Sequence, residues 1–286
     1  MREGHRMIER SLSAIGPHGF HRLTYVEWPG PKDAPVLLCI HGLTRNARDF
    51  DVLAEALSSR YRVICPDMPG RGKSEWLADG MDYGYPLYLS DIAALIARLD
   101  VERVDWVGTS MGGLIGILTA CLPGAPIRRL VINDVGPLVP KDGLQRIADY
   151  VGLDPSFADL AALEAALRFI HAPFGKLTDQ QWRAMAIHSS RRKPDGQLGL
   201  NYDPKIAETF KQGPIEDVDL WAQWDKITCP TLVLRGERSD ILRASDAALM
   251  TERGPRAKLV ELSGIGHAPA LMAEDQIAII RDFLTA

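Results

Sequence analysis

The pentapeptide Gly108-Thr109-Ser110-Met111-Gly112 constrains the fold of this 286-residue chain more than any other segment. It follows an apolar run at residues 104–107 and opens a strongly apolar stretch at 114–118. An apolar run that passes through two glycines into a second apolar stretch reads as strand, tight turn and helix. A serine on such a turn has its hydroxyl lifted above the sheet edge, and the glycines relieve the crowding of a strained turn. The next residue, Met111, offers a backbone N–H at a helix N-terminus, where negative charge is favoured. A nucleophilic serine needs this arrangement for acyl transfer, although the same five residues would also serve as a Gly/Ser turn capping a helix.

A serine hydroxyl is a poor nucleophile at neutral pH and needs a base, which in turn needs an orienting acid. Two downstream segments supply candidates. Arg235-Gly236-Glu237-Arg238-Ser239-Asp240 follows an apolar run at 231–234, and Gly264-Ile265-Gly266-His267 follows another at 259–262. Asp240 and His267 thus lie just beyond the carboxyl ends of expected strands, the edge where open α/β sheets bind ligands. The spacing favours Asp240 as the acid. Asp134, just after an apolar run at 127–133, is its rival.

The order Ser110, Asp240, His267 resembles that of α/β-hydrolase-fold enzymes. The likeness extends to His41-Gly42-Leu43-Thr44 after the apolar run 36–40, and to Asp67-Met68-Pro69-Gly70-Arg71-Gly72-Lys73-Ser74 after 61–65. The resemblance implies a mostly parallel central sheet flanked by helices. It also implies an oxyanion hole formed by the backbone N–H groups of Leu43 and Met111. The chain is most similar to small capped hydrolases: carboxylesterases, enol-lactonases, meta-cleavage-product hydrolases and cofactor-free haloperoxidases. Related haloalkane dehalogenases and epoxide hydrolases carry aspartate where Ser110 stands, which argues against both activities.

Periodicity extends the reading. Strands are expected at 20–28, 36–40, 61–65, 104–107, 127–133, 231–234 and 259–262, with helices near 86–99, 111–122, 243–252 and 270–284. Alternation of this kind means βαβ units and a mostly parallel sheet. Asn46 is a candidate N-cap for a helix whose apolar face is Phe50, Leu53, Ala54 and Leu57. The alternation breaks between 133 and 228. There Leu160, Leu163, Leu167 and Ile170 mark one helical face, and Thr178 with Gln181 forms a capping box ahead of Trp182. A helical cap over residues 136–213, inserted into a core of 1–135 and 214–286, is expected to lie over Ser110 and select substrates.

Composition is that of an ordinary globular protein, 46% hydrophobic and 24% charged. A net charge of −4 gives no reason to expect nucleic acid or an anionic membrane as partner. The charged start, residues 1–6, is not followed by an apolar region of signal-peptide length, so a cytoplasmic location is expected. Cys39, Cys65, Cys121 and Cys229 lack C-x-x-C spacing and read as free thiols, mostly buried. No H-x-x-x-H pair occurs, and neither metal nor cofactor is expected. The stretch Gly70-Arg71-Gly72-Lys73-Ser74 ends like a phosphate-binding loop, but the pattern needs glycine where Asp67 stands. His41 is expected to position backbone within the oxyanion loop.

Arg45 stands where it would meet either a substrate carboxylate or solvent. Trp182, His188 and Trp224 are the further candidates for substrate contact. The expected chemistry is hydrolysis of small to medium carboxylic esters through an acyl-enzyme on Ser110. Lactone hydrolysis and C–C cleavage of vinylogous diketones share the same machinery. A small-molecule receptor on the same fold is the non-enzymatic alternative.

Overall fold

A computed structural model describes residues 7–286; the charged stretch 1–6 lies outside the described residues. In chain order the first part comprises β1 (Ile8–Gly16), β2 (Gly19–Trp28), β3 (Val36–Ile40), α1 (Asp51–Leu57), β4 (Arg62–Pro66), α2 (Tyr85–Leu99), β5 (Val104–Thr109), α3 (Met111–Ala120) and β6 (Ile127–Asn133). The intervening segment holds β7 (Leu138–Val139), α4 (Lys141–Tyr150), α5 (Leu160–Ile170), α6 (Asp179–Ser189), β8 (Ser190–Arg192), β9 (Leu198–Leu200), β10 (Val218–Asp219) and α7 (Trp221–Trp224). The chain closes with β11 (Thr231–Gly236), α8 (Ala244–Glu252), β12 (Lys258–Leu262) and α9 (Glu274–Thr285).

Eight strands form one sheet in the order β1-β2-β4-β3-β5-β6-β11-β12. The β1–β2 and β2–β4 pairs are antiparallel, and the others are parallel. The apolar strands are continuous because both sheet faces are covered. Val36, Leu38 and Ile40 of β3 pack with Leu95 of α2, Ile115 of α3 and Met250 of α8, whereas Leu37 and Cys39 pack with Leu53 of α1 and Ile280 of α9. This period-2 division sends alternate side chains to opposite layers. The four cysteines are free, Cys39 and Cys65 buried and Cys121 and Cys229 half-buried.

β1 was not expected. It is an edge strand whose residues are largely exposed, so its sequence carries little apolar alternation; the hairpin with β2 positions it. The interval between β6 and β11 adds no strand to the large sheet. It holds α4, α5 and α6, but also a hairpin of β8 and β9 that the helical reading missed. Its signal was Pro194-Asp195-Gly196, with Gly196 at φ +84° and its N–H donating to Lys193 O at 3.0 Å. This interval docks on the turns after β3 and β4. Asn46 Nδ2 donates to His188 O at 3.0 Å, Gly72 N to Asn201 O at 3.1 Å, and Asp203 N to Gly70 O at 2.7 Å. Among the described residues no helix is long and apolar enough to cross a membrane.

The two glycines of the pentapeptide hold β5 against α3. A Cβ on Gly108 would stand 2.2 Å from Gly112 O, and one on Gly112 would stand 2.0 Å from Ile40 O. Neither neighbour can yield, since both are backbone. Gly112→Ala is therefore expected to lower stability by more than about 2 kcal/mol in urea unfolding; an unchanged midpoint would show that the turn is not packed this tightly.

Candidate active site

β5 ends at Thr109, and Ser110 follows with φ +52° and ψ −115°, a conformation that L side chains rarely adopt. Such a residue costs about 1–3 kcal/mol and persists only where its surroundings over-determine it. Here the surroundings are its own turn. Ser110 N donates to Asn133 O at 2.9 Å, and Ser110 O accepts from Gly113 N at 2.8 Å and Leu114 N at 3.0 Å. The hydroxyl is thereby aimed at His267, whose Nε2 lies 2.9 Å from Ser110 Oγ.

The other ring nitrogen of His267 meets Asp134 Oδ2 at 2.8 Å, not Asp240. A carboxylate only accepts, so Nδ1 carries the proton and Nε2 is free to receive that of Ser110. Asp134 is fully buried, and its carboxylate also accepts from Gly236 N and Ser239 Oγ, each at 2.7 Å. The acid position thus belongs to β6, the strand between the nucleophile strand and β11. The Gly236–Ser239 turn wraps around Asp134 and leaves Asp240 outside. Asp240 pairs with Arg146 of α4, and its side chain is 47% exposed.

His41 is buried, and burial pushes its pKa down to about 3. Its Nε2 accepts from Met68 N at 2.9 Å, so Nδ1 bears the proton and donates to Gly42 O at 2.7 Å. The ring braces the loop that carries Leu43. Arg71 braces it from the other side, a residue that the sequence placed in the Asp67–Ser74 segment of the family likeness without a role of its own. Fully buried, it donates from Nε to Leu43 O at 2.8 Å and from Nη1 to Pro69 O at 2.7 Å and Tyr88 Oη at 2.8 Å. Its Nη2 lies 3.7 Å from Met111 Sδ, so the guanidinium touches both residues expected to supply oxyanion donors. Met111 opens α3, where first-turn N–H groups have no intrahelical acceptor.

Two cavities flank the loop. One of about 480 Å³ is bounded by Leu43, Met111, Tyr85, Tyr88, Ile206 and Phe210, among others. The second, about 190 Å³, is bounded by Thr44, Arg45, His171, Ser189, Asn201 and Tyr202 together with apolar residues of α5 and its approach. Arg45 is buried and held at both Nε (2.8 Å) and Nη2 (2.6 Å) by Asp49, so it faces neither open solvent nor an empty anion site. Trp182 packs in the core of the intervening segment beneath Arg168 and reaches neither cavity. Trp224 is fully buried below the sheet edge, its Nε1 donating to Arg253 O at 3.1 Å, and makes no part of the site. His188 offers Asn46 its carbonyl, and its ring bounds neither cavity. Among the described residues no cluster of three His, Cys, Asp or Glu side chains could hold a metal ion.

A sequence model described as the alpha/beta hydrolase family matches residues 37–279. A 3-hydroxybutyrate-oligomer hydrolase from Cupriavidus necator is 46% identical over 282 residues, 96% of each chain. Among solved structures, an alpha/beta hydrolase from Novosphingobium aromaticivorans is 40% identical, with a TM-score of 0.87 and 98% of each chain covered. A Rickettsia typhi protein is 34% identical, with a TM-score of 0.90 over 98% of this chain and 99% of the other.

The placement of the two aspartates has a direct consequence. Asp134→Asn is expected to slow phosphonylation of Ser110 by a fluorophosphonate by about three to four orders of magnitude, through loss of the correct imidazole tautomer. Asp240→Asn should stay within about twofold of the parent, as surface ion pairs contribute little. The reverse ranking would return the acid to Asp240.

Proposed function

This chain belongs to the alpha/beta hydrolase family, and from that premise we propose that it is a serine esterase acting on small to medium carboxylic esters, short hydroxyacid oligoesters foremost. The observation that carries the reading is the unbroken hydrogen-bonded line Ser110–His267–Asp134 at the carboxyl edge of the sheet. The strong, full-length likeness to a 3-hydroxybutyrate-oligomer hydrolase supports the choice of ester, and cavities on both sides of the loop suit a substrate with a substituent on each side of its scissile bond.

In this reading Ser110 Oγ attacks the ester carbonyl while its proton passes to His267 Nε2. Asp134 holds the imidazole and stabilises the imidazolium without taking the proton. The carbonyl oxygen becomes an oxyanion facing the N–H groups of Leu43 and Met111, each such donor being worth about 3 kcal/mol of barrier. The imidazolium returns its proton to the departing alkoxide, which leaves as an alcohol. Water, deprotonated by His267, then cleaves the acyl-enzyme, and the carboxylic acid and Ser110 are regenerated. The segment 136–213 acts as a cap that keeps bulk water away from the acyl-enzyme.

Arg71 serves the oxyanion loop without touching the reacting atoms. Its buried charge lies against the peptides that face the developing oxyanion, where the local dielectric is low.

The test is a series of p-nitrophenyl esters from acetate to decanoate, with the 3-hydroxybutyrate dimer alongside. Turnover that peaks at short chains and disappears in Ser110→Ala is expected. Wild-type-like turnover in that variant, or no turnover of any ester by the parent, would overturn the reading.

A further inference from the structure

The loop that carries the base is held by a part of the chain outside the large sheet. On either side of His267 its backbone donates to one short turn of the segment between β6 and β11. Gly266 N donates to Pro173 O at 2.8 Å, and Ala270 N to Phe174 O at 3.2 Å. The turn, Ala172–Phe174, follows α5 directly, and Phe174 N closes it on His171 O at 2.9 Å. The two backbones meet closely: a Cβ on Gly266 would stand 2.8 Å from Pro173 Cβ. Phe174 is half-buried, and with Ala268, Pro269 and Ala270 it bounds a void of only about 30 Å³.

The same turn reaches the oxyanion side. The Phe174 ring stacks on that of His171, with centroids 4.4 Å apart and planes 28° apart. His171 Nε2 in turn lies 3.3 Å from Nη1 of Arg45, two residues beyond Leu43 on the oxyanion loop. A guanidinium only donates, so Nε2 accepts, and the ring is neutral because burial and then the Arg45 charge hold its pKa well below the usual value. From the inner side Asn133 ties the base loop to the nucleophile strand, its Nδ2 donating to Pro269 O at 2.9 Å and to Thr109 Oγ1 at 3.0 Å. The base loop is thus clamped between the sheet and the turn.

We infer that the turn at 171–174 positions the catalytic base, so that the segment covering the site also completes it. The inference rests on reading Ser110 and His267 as nucleophile and base. Phe174 is a positioning residue: its carbonyl and that of Pro173 hold the loop's backbone, and its ring seats the turn on His171. A segment that only shields the site predicts the opposite behaviour, because loosening it would admit a small reagent to Ser110 faster. A turn that holds the base predicts a less reactive serine, since a misplacement of about 1 Å costs about a hundredfold in rate.

The experiment follows phosphorylation of Ser110 by diisopropyl fluorophosphate in the parent and in Phe174→Ala. The second-order rate is expected to fall by between about tenfold and a hundredfold in the variant. The low-field proton resonance of His267 Nδ1, bonded to Asp134, should shift or broaden with it, a change that lost stability alone would not produce in folded protein. An equal or faster rate overturns the inference, as does a slower rate with that resonance unmoved. Should Phe174→Ala fail to fold, Gly266→Ala drives a methyl against Pro173 from the other side, with the same outcomes expected. The reagent reports the Ser110–His267 pair whatever ester the protein turns over, so rapid labelling without ester turnover would sink the substrate reading and leave this one standing. Were Ser110 inert in the parent, the esterase reading would fail, and the proton resonance in parent and variant would still decide the role of the turn.

Discussion

One side of the carboxyl edge of this sheet is arranged around a buried anion. Asp134 is fully enclosed, and a carboxylate in that position is tolerable only if its oxygens are saturated with donors. The donors come from three places in the chain: a backbone N–H at the end of β11, the hydroxyl of Ser239 in the following turn, and the ring of His267 beyond β12. Satisfying Asp134 therefore fixes the path of the β11 turn and the orientation of the imidazole at once. The backbone cooperates, since Asp134 N donates to Leu234 O at 2.8 Å and ties its own turn to the neighbouring strand. The charge that orients the base is also what assembles the loops around it.

The oxyanion side is built on a different principle. Asp67 holds the exit of the loop after β3, accepting from Ala47 N at 2.7 Å, while two other groups prop its Gly42 and Leu43 peptides. A neutral histidine and a buried guanidinium do so through the loop's carbonyls, His41 on Gly42 O and Arg71 on Leu43 O. Anchoring the carbonyls leaves the intervening N–H groups free to face the site, because a peptide whose oxygen is held one way must point its N–H the other. Arg71 gains further support from the rings of Tyr83 and Tyr88, whose centroids lie 5.5 and 5.4 Å from its guanidinium carbon. Acid-side loops gather around a negative charge and oxyanion-side loops around a positive one, and Ser110 stands between the two.

What was legible in the sequence follows from what local pattern can encode. The apolar runs of β3, β5, β6 and β11 are continuous because both faces are buried, and such runs announce themselves. The pentapeptide glycines announce the turn, because only glycine tolerates a backbone approach of that closeness. The partner of His267 could not be read in the same way. Both Asp134 and Asp240 follow a strand, and the choice depends on sheet order, which places β6 next to β5. Order is set by pairing between segments far apart in the chain, and the turn before Asp240 resembles a catalytic loop because it encloses Asp134. The hairpin of β8 and β9 was readable from Pro194-Asp195-Gly196 and was hidden by the helical periodicity on either side. Among the residues proposed to contact substrate, Trp182 and Trp224 failed for a common reason: large aromatic side chains are more often the core of a segment than the wall of its pocket.

The position of His188 bears on the walls of the smaller cavity, which it does not line. On α6 the buried stripe runs through Trp182, Met185, Ala186 and Ser189, at helical spacing, and His188 falls to one side of it. Charge and ring nitrogen drew attention to the histidine, yet the residue that borders the cavity is the small, neutral one next to it. Pockets that hold uncharged esters have little use for fixed charge. They need apolar walls, since the carbon skeleton supplies most of the binding energy, and a few placed polar atoms to set register. The arginines near this wall add no free charge to it, because they have already found their aspartates.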